Sequence, residues 1–118
     1  MPRLTVQVLP DLEPTLALEE LADAFSDAAD VADAEMSISS GDEDGRFVSY
    51  DFLASDLSRL WEILQAKVMG EPDQGAMVAR SSIVVCEGKR GWKDYLFLHH
   101  YDRRETVEQL PPGWPYCS

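Results

Sequence analysis

The sequence predicts an α+β fold in which a mostly antiparallel sheet carries two helices on one face. Short segments that alternate apolar and polar residues are typical of half-buried strands, and two longer segments repeat apolar residues at helical spacing. Gly-containing turns join consecutive strand patterns, as antiparallel hairpins require. The length of 118 residues and the 45% hydrophobic share predict one domain, residues 1–118, around one core.

The first half of the chain is predicted to form a strand, a helix and a hairpin. The predicted elements are a strand at 4–8, a helix at 18–32, and strands at 35–39 and 47–53. Pro10 ends the first strand, and Pro14 suits the first turn of the helix. The segment 40–45 between the last two strands is an acidic turn, in which Gly45 supplies the positive φ angle.

The second half is predicted to form a helix, a hairpin and a tail. The predicted elements are a helix at 57–68, a loop at 71–75, strands at 77–87 and 92–101, and an irregular C-terminal tail at 103–118. Ser55 or Asp56 caps the helix, and Gly70 ends it. The order β-α-β-β-α-β-β makes a ferredoxin-like variant the nearest named architecture.

Negative charge is concentrated in the first third of the chain. The formal net charge is −12, and no Lys, Arg or His occurs between Leu4 and Gly45. The twelve acids of that stretch are Asp11, Glu13, Glu19, Glu20, Asp23, Asp27, Asp30, Asp33, Glu35, Asp42, Glu43 and Asp44. The remaining residues carry ten acids and ten bases. Such a local field disfavours nucleic acid and anionic membranes and favours a cationic partner.

No catalytic or cofactor motif occurs in the sequence, so we expect neither enzymatic activity nor a cofactor. The segment from Ser40 to Asp51 resembles a twelve-residue calcium loop, with Asp42, Asp44 and Gly45 at positions three, five and six. Ser replaces the first Asp of such a loop, and the shorter Asp replaces its final Glu. We therefore expect an acidic hairpin turn and no metal site.

The last hairpin contains the other candidate reactive groups. With Gly88 opposite Gly91, the predicted register places Lys93 opposite Cys86, Arg80 opposite His99 and Ala79 opposite His100. Adjacent histidines in a strand point to opposite faces, so they do not chelate one metal together. Cys86 and Cys117 are far apart and form no metal-type pair, and reduced thiols in a cytoplasmic protein are expected.

Both faces of that hairpin are apolar in the predicted register. One face carries Ile83, Val85, Leu96 and Leu98, and the other carries Val84, Cys86, Tyr95, Phe97 and His99. Two helices cover only one side of a sheet, so something else must cover the second side. The alternatives are Trp114 and Tyr116 of the tail, a second copy in a homodimer, or a partner bound through Tyr95 and Phe97.

These observations predict a non-enzymatic acidic protein that neutralises a basic partner protein, such as an immunity- or antitoxin-type inhibitor of a nuclease effector. The predicted partner-binding residues are Glu19, Glu20, Asp23, Asp27, Asp30, Asp42, Glu43, Asp44, Tyr95 and Phe97. A competing view is that the acids form only a solvated surface. The alternative functions are a small-molecule-binding domain that dimerises through its sheet and, third, an enzyme with an unrecognised site. We expect no membrane span and no secretory signal.

Overall fold

The computed structural model describes residues 3–15, 17–42, 46–70, 72–88 and 91–101, and the side chains of 87, 88 and 91–97 lie outside this description. A five-stranded antiparallel sheet with the strand order β2-β3-β1-β4-β5 forms the framework. The strands are β1 (Arg3–Val8), β2 (Glu35–Asp42), β3 (Arg46–Leu53), β4 (Ser82–Gly88) and β5 (Gly91–His100). The helices are α1 (Leu18–Val31), α2 (Leu57–Lys67) and α3 (Gln74–Ser81), with a short 3-10 helix at Pro10–Leu12.

One face of the sheet is buried beneath the helices. Leu4, Val6 and Val8 of β1 are each at most 2% exposed, whereas Thr5 and Gln7 between them are only partly buried. Their partners on β4, and Tyr50 and Phe52 on β3, follow the same alternation, as expected for strands with one covered face. The core cluster combines these strand residues with apolar residues from all three helices. The predicted α+β class with an antiparallel sheet is therefore confirmed.

Aromatic rings connect α1 to the middle of the sheet. Phe25 of α1 packs against Tyr50 and Phe52 of β3, with ring centroids 4.4 and 5.8 Å apart. All three side chains are at most 1% exposed. Burial raises the pKa of the Tyr50 hydroxyl above its ordinary value of 10.0, because the phenolate form loses its hydration.

The described residues form three α-helices where the sequence predicts two. Residues 74–81 form α3, although the sequence predicts a loop followed by a strand from Met77. A Cβ at Gly75 would collide with the carbonyl oxygen of Met69, so glycine permits close approach of α3 to the end of α2. Val78 enters the core from α3 and is fully buried. A single buried valine is too little apolar periodicity to distinguish a short helix from a strand.

The predicted register of the last hairpin is correct only at its turn. Gly88 pairs with Gly91, but the ladder shifts between Glu87 and Gly88 and again between Val84 and Val85. The observed partners are Leu96 for Cys86, Phe97 for Val85, His99 for Val84 and His100 for Ile83. The predicted partners are therefore wrong, and so is the predicted grouping of Phe97 with Cys86, whereas the grouping of His99 with Val84 agrees with the ladder. Two local irregularities moved the register, as bulges do.

Candidate partner-binding surface

The exposed side of α1 carries the densest charge in the described chain. Its apolar residues Leu21, Phe25 and Ala28 face the core and are at most 1% exposed. All five acids on the opposite side are exposed, and we call them the acidic ribbon: Glu19, Glu20, Asp23, Asp27 and Asp30. At 3.6 residues per turn, the ribbon spans an arc of about 100° directly opposite the core stripe. The helix thus presents its carboxylates in one direction.

The ribbon carboxylates form no direct contact with a base in the part of the chain that the structure describes. None of the five carboxylates forms an ion pair or hydrogen bond with a described residue. From Glu20 onward, successive members lie three or four residues apart, and Glu19 lies four residues before Asp23. This is the spacing at which like charges repel on a helix. The ribbon therefore lowers the stability of α1 and leaves its field directed at solvent.

The C-terminal end of α1 is stabilised in two ways that involve no ribbon carboxylate. Asp33 has a φ of 55°, and Ala34 N–H donates to the Ala29 carbonyl at 2.8 Å, which closes a Schellman motif. Arg59 of α2 donates from Nη2 to the Val31 carbonyl at 3.3 Å. A guanidinium at this position interacts favourably with the negative end of the helix dipole. The sequence alone did not indicate this contact, which spans 28 positions.

Asp42 is exposed at the end of β2, opposite Arg46 in the register. Asp11 reaches the same end of the hairpin, where its carboxylate accepts the Arg46 backbone N–H at 3.1 Å. Glu43 and Asp44, the other predicted members of the acidic turn, lie outside the described residues.

Asp51, the last residue of the segment that resembles a calcium loop, lies away from the turn end of the hairpin. Strands β2 and β3 flank the turn, and Asp51 lies five positions beyond Arg46 along β3, about 16 Å at the usual strand rise. The Asp51 carboxylate instead accepts the Thr5 hydroxyl hydrogen at 2.6 Å. Within the described ranges, no group of three metal-ligating side chains is present.

The remaining predicted candidates are only partly within the description. Tyr95 and Phe97 pair with Glu87 and Val85 in the ladder, but their side chains lie outside the described set. Cys86 is fully buried. His99 makes a 2.8 Å hydrogen bond through Nε2 with the Ala79 carbonyl of α3, so this ring joins a strand to a helix.

Among the described residues, two of the surface depressions lie beside the helices. One, of about 390 Å³, is lined by Ala24, Asp27, Ala66, Lys67 and Gln74. Asp27, Ala66 and Lys67 are exposed, so it is a surface groove between α1, α2 and α3. The other, of about 210 Å³, is lined by Ala76, Ala79, Arg80, His99, His100 and Tyr101. Its Arg80 is paired with Glu13 at 3.1 Å.

No protein-family model, curated protein or solved structure matches this chain. None of the helices in the described ranges is long and apolar enough to cross a membrane. The arguments for function therefore depend on the residues and their geometry.

Proposed function

We propose that this chain is a non-enzymatic acidic protein that binds and neutralises a cationic protein, as an immunity- or antitoxin-type inhibitor of a basic nuclease effector would. The observation that carries the proposal is the acidic ribbon, whose five carboxylates are exposed on one side of α1. A dense array of carboxylates resembles the charge pattern of a phosphate backbone. Such an array accelerates the encounter with a basic partner and selects against acidic ones.

The energetics of α1 support a role outside the folded chain itself. Like charges three or four residues apart destabilise a helix by about 0.2–0.5 kcal/mol per pair. Among described residues, no base forms an ion pair with the ribbon, whereas Glu13 outside α1 is paired with Arg80. The ribbon thus costs stability and gives no described contact in return, which favours selection for binding.

Two finer assignments belong to the same proposal. The ferredoxin-like architecture is supported by the position of β3 between β1 and β2, and of β1 between β3 and β4, because both crossovers are then split. The third helix and the fifth strand would be additions to that plan. A reducing compartment such as the cytoplasm is supported by the low cysteine content, two residues in 118.

The experiment first captures the partner from the native host with the full-length chain and then measures association kinetics. The test variant combines Glu20→Gln, Asp23→Asn and Asp27→Asn, which removes three ribbon charges. The control combines Glu62→Lys and Gln65→Lys, at exposed positions of α2, and changes the net charge by the same three units. We expect the ribbon variant to lower the association rate about tenfold or more at low salt, with a shallower salt dependence.

The outcome for the control decides between a local field and net charge alone. If both variants slow association equally, overall charge and not the ribbon governs the encounter. If neither variant changes the association rate, the ribbon is only a solvated surface, and the proposal is wrong.

The second candidate function is binding of a small molecule. The groove of about 390 Å³ beside Asp27 and Lys67 is within the size range of ligand pockets, and it offers one charge of each sign. It lacks the mostly apolar lining that such pockets usually have. Saturable binding of a metabolite, abolished by Lys67→Ala with the protein still folded, would favour this alternative over the cationic partner.

A further inference from the structure

Strand β2 is an edge of the sheet without the usual protection. It pairs with β3 along one side, and no described residue pairs with its other side. Natural edge strands are commonly short or bulged, or they contain Pro or Lys. These features prevent the free edge from pairing with other chains. β2 has eight residues, all paired in an unshifted register with β3, and contains neither Pro nor Lys.

The side chains of β2 leave this edge accessible. Ser37, Ser39 and Ser40 are small and exposed, so they shield little of the backbone. Ile38, on the helix-covered face, is 51% exposed although its β3 partner Tyr50 is only 1% exposed. An additional strand beside β2 would bury Ile38 and satisfy the outward-facing backbone groups together.

We propose that β2 accepts a strand of the cationic partner, which would extend the sheet by one antiparallel or parallel strand. This inference rests on the proposed function and names the mode of contact. The charges at the edge indicate the occupant: Glu35 and Asp42 are exposed at the two ends of β2. A partner strand with Lys or Arg at both ends would place its positive charges beside these carboxylates. Such pairing is favourable because opposite charges on neighbouring strands stabilise a sheet, whereas like charges destabilise it.

The negative charge of this chain opposes a second copy as the occupant of the β2 edge. Antiparallel pairing of β2 with its own copy around a two-fold axis normal to the sheet would place both α1 helices on the same face. Each α1 carries the acidic ribbon and no base. Each chain also has a net charge of −12. Repulsion between copies therefore favours a partner of opposite charge.

The experiment titrates three synthetic peptides into the full-length chain and follows backbone amide signals by NMR. The probe is acetyl-Lys-Thr-Val-Thr-Val-Thr-Val-Lys-amide, which matches the eight residues of β2 and places a valine opposite Ile38 in antiparallel pairing. The first control replaces all three valines with proline, which keeps the charge but prevents strand pairing. The second control replaces both lysines with glutamate. We expect only the first peptide to shift amides of β2 and to protect them from hydrogen exchange.

A pair of variants tests the position of binding. Ile38→Lys places a positive charge on the edge and removes the apolar contact, and we expect it to weaken binding of the basic peptide at least fivefold. Gln65→Lys adds the same charge on the exposed side of α2 and should leave binding within twofold. Because both positions are exposed, both variants should fold, which circular dichroism verifies.

Each contrary result has a distinct meaning. Equal binding of the proline peptide would show contact through charge alone, which overturns strand pairing but leaves the cationic partner in place. Binding of the glutamate peptide, or no binding of the basic one, overturns the inference. Protection of the outward β2 amides in the free protein also overturns it. That protection would assign the edge to a second copy if it depends on concentration, and to this chain if it does not.

Discussion

Helices α1 and α2 are alike on their buried sides, which are apolar, but they differ in capping and in the placement of charge on their exposed sides. Both insert a stripe of apolar residues into the core, and the two helices pack against each other. The start of α2 is capped by Asp56, whose carboxylate accepts the Arg59 N–H at 3.0 Å, and its last turn carries Lys67. The start of α1 has no side-chain cap, and its last turn has no base.

This difference distinguishes the polar residues that stabilise a helix, as in α2, from those in α1 that do not. Capping and charge placement explain α2 through its own stability. The acids in the first turn of α1 suit the helix dipole, but Asp30 near its end does not. The later ribbon residues, Asp23, Asp27 and Asp30, are therefore the part of α1 that helix stability does not explain. Variants on both helices test whether the buried sides are equivalent and the exposed sides are not.

The largest expected effect comes from the buried side of α1. Phe25→Ala removes a ring that is 1% exposed and packs on Tyr50 and Phe52. We expect a loss of about 3–5 kcal/mol in the free energy of unfolding, measured by urea denaturation, and a loss of about 2–5 kcal/mol for Leu60→Ala of α2. A loss below about 1 kcal/mol for Phe25→Ala alone would mean that α1 is not part of the core.

The same contact has a consequence at alkaline pH. The raised pKa of Tyr50 means that the folded state holds its proton to a higher pH than the unfolded state. The stabilising effect is fully present below pH 10, and it is lost as the pH rises through the folded-state pKa, because the unfolded chain releases this proton first. We expect Tyr50→Phe to reduce the fall in stability above pH 10, as measured by urea denaturation at several pH values. Identical pH profiles for the two proteins would contradict the assignment.

Substitutions at the N-caps of α2 and α1 should change the free energy of unfolding by an intermediate amount and in opposite directions. Asp56→Ala removes the cap of α2 and should cost about 0.5–2 kcal/mol. Ala17→Ser supplies a cap to α1, and with Glu20 three residues later it completes a capping box, for an expected gain of up to about 1 kcal/mol. Thermal unfolding of both variants checks the signs. No gain from Ala17→Ser would show that the extended backbone at Ala17 does not permit the capping geometry.

Periodicity predicted α1 and α2 because their buried stripes are long and repetitive. Leu18 to Val31 carries helical spacing over nearly four turns, and the α2 stripe is followed by Gly70. Helix α3 was missed because its buried apolar contribution is Val78 alone, and the hairpin register was wrong because bulges leave no reliable local pattern. The Arg59 contact with Val31 could not be predicted from the sequence because it depends on how two helices pack against each other.

The candidate surface was predictable where it depends on composition, but not where it depends on strand order. Counting residues locates the ribbon, and helical spacing places its members on one side. The exposed edge of β2 could not be predicted, since the alternation in 35–39 fits an edge strand and a central strand equally. The exposed Ile38 is the residue for which this matters, because alternation alone predicts its burial.

Charge reversals on the exposed sides of α1 and α2 should have the smallest effects on stability. Asp23→Lys replaces repulsion with attraction toward Glu19 and Asp27, each four residues away, and should raise the free energy of unfolding by about 0.5–1 kcal/mol at low salt. Glu62→Lys on α2 has the reverse expectation, a loss of about 0.2–0.5 kcal/mol, because Arg59 lies three residues before it.

Urea denaturation at two salt concentrations measures both variants, and high salt should reduce both effects. Opposite signs would mean that α2 is arranged for its own stability and that α1 is not. If Asp23→Lys brings no gain, the ribbon carboxylates are already compensated in the folded chain, and the energetic argument that they exist for a partner would fail.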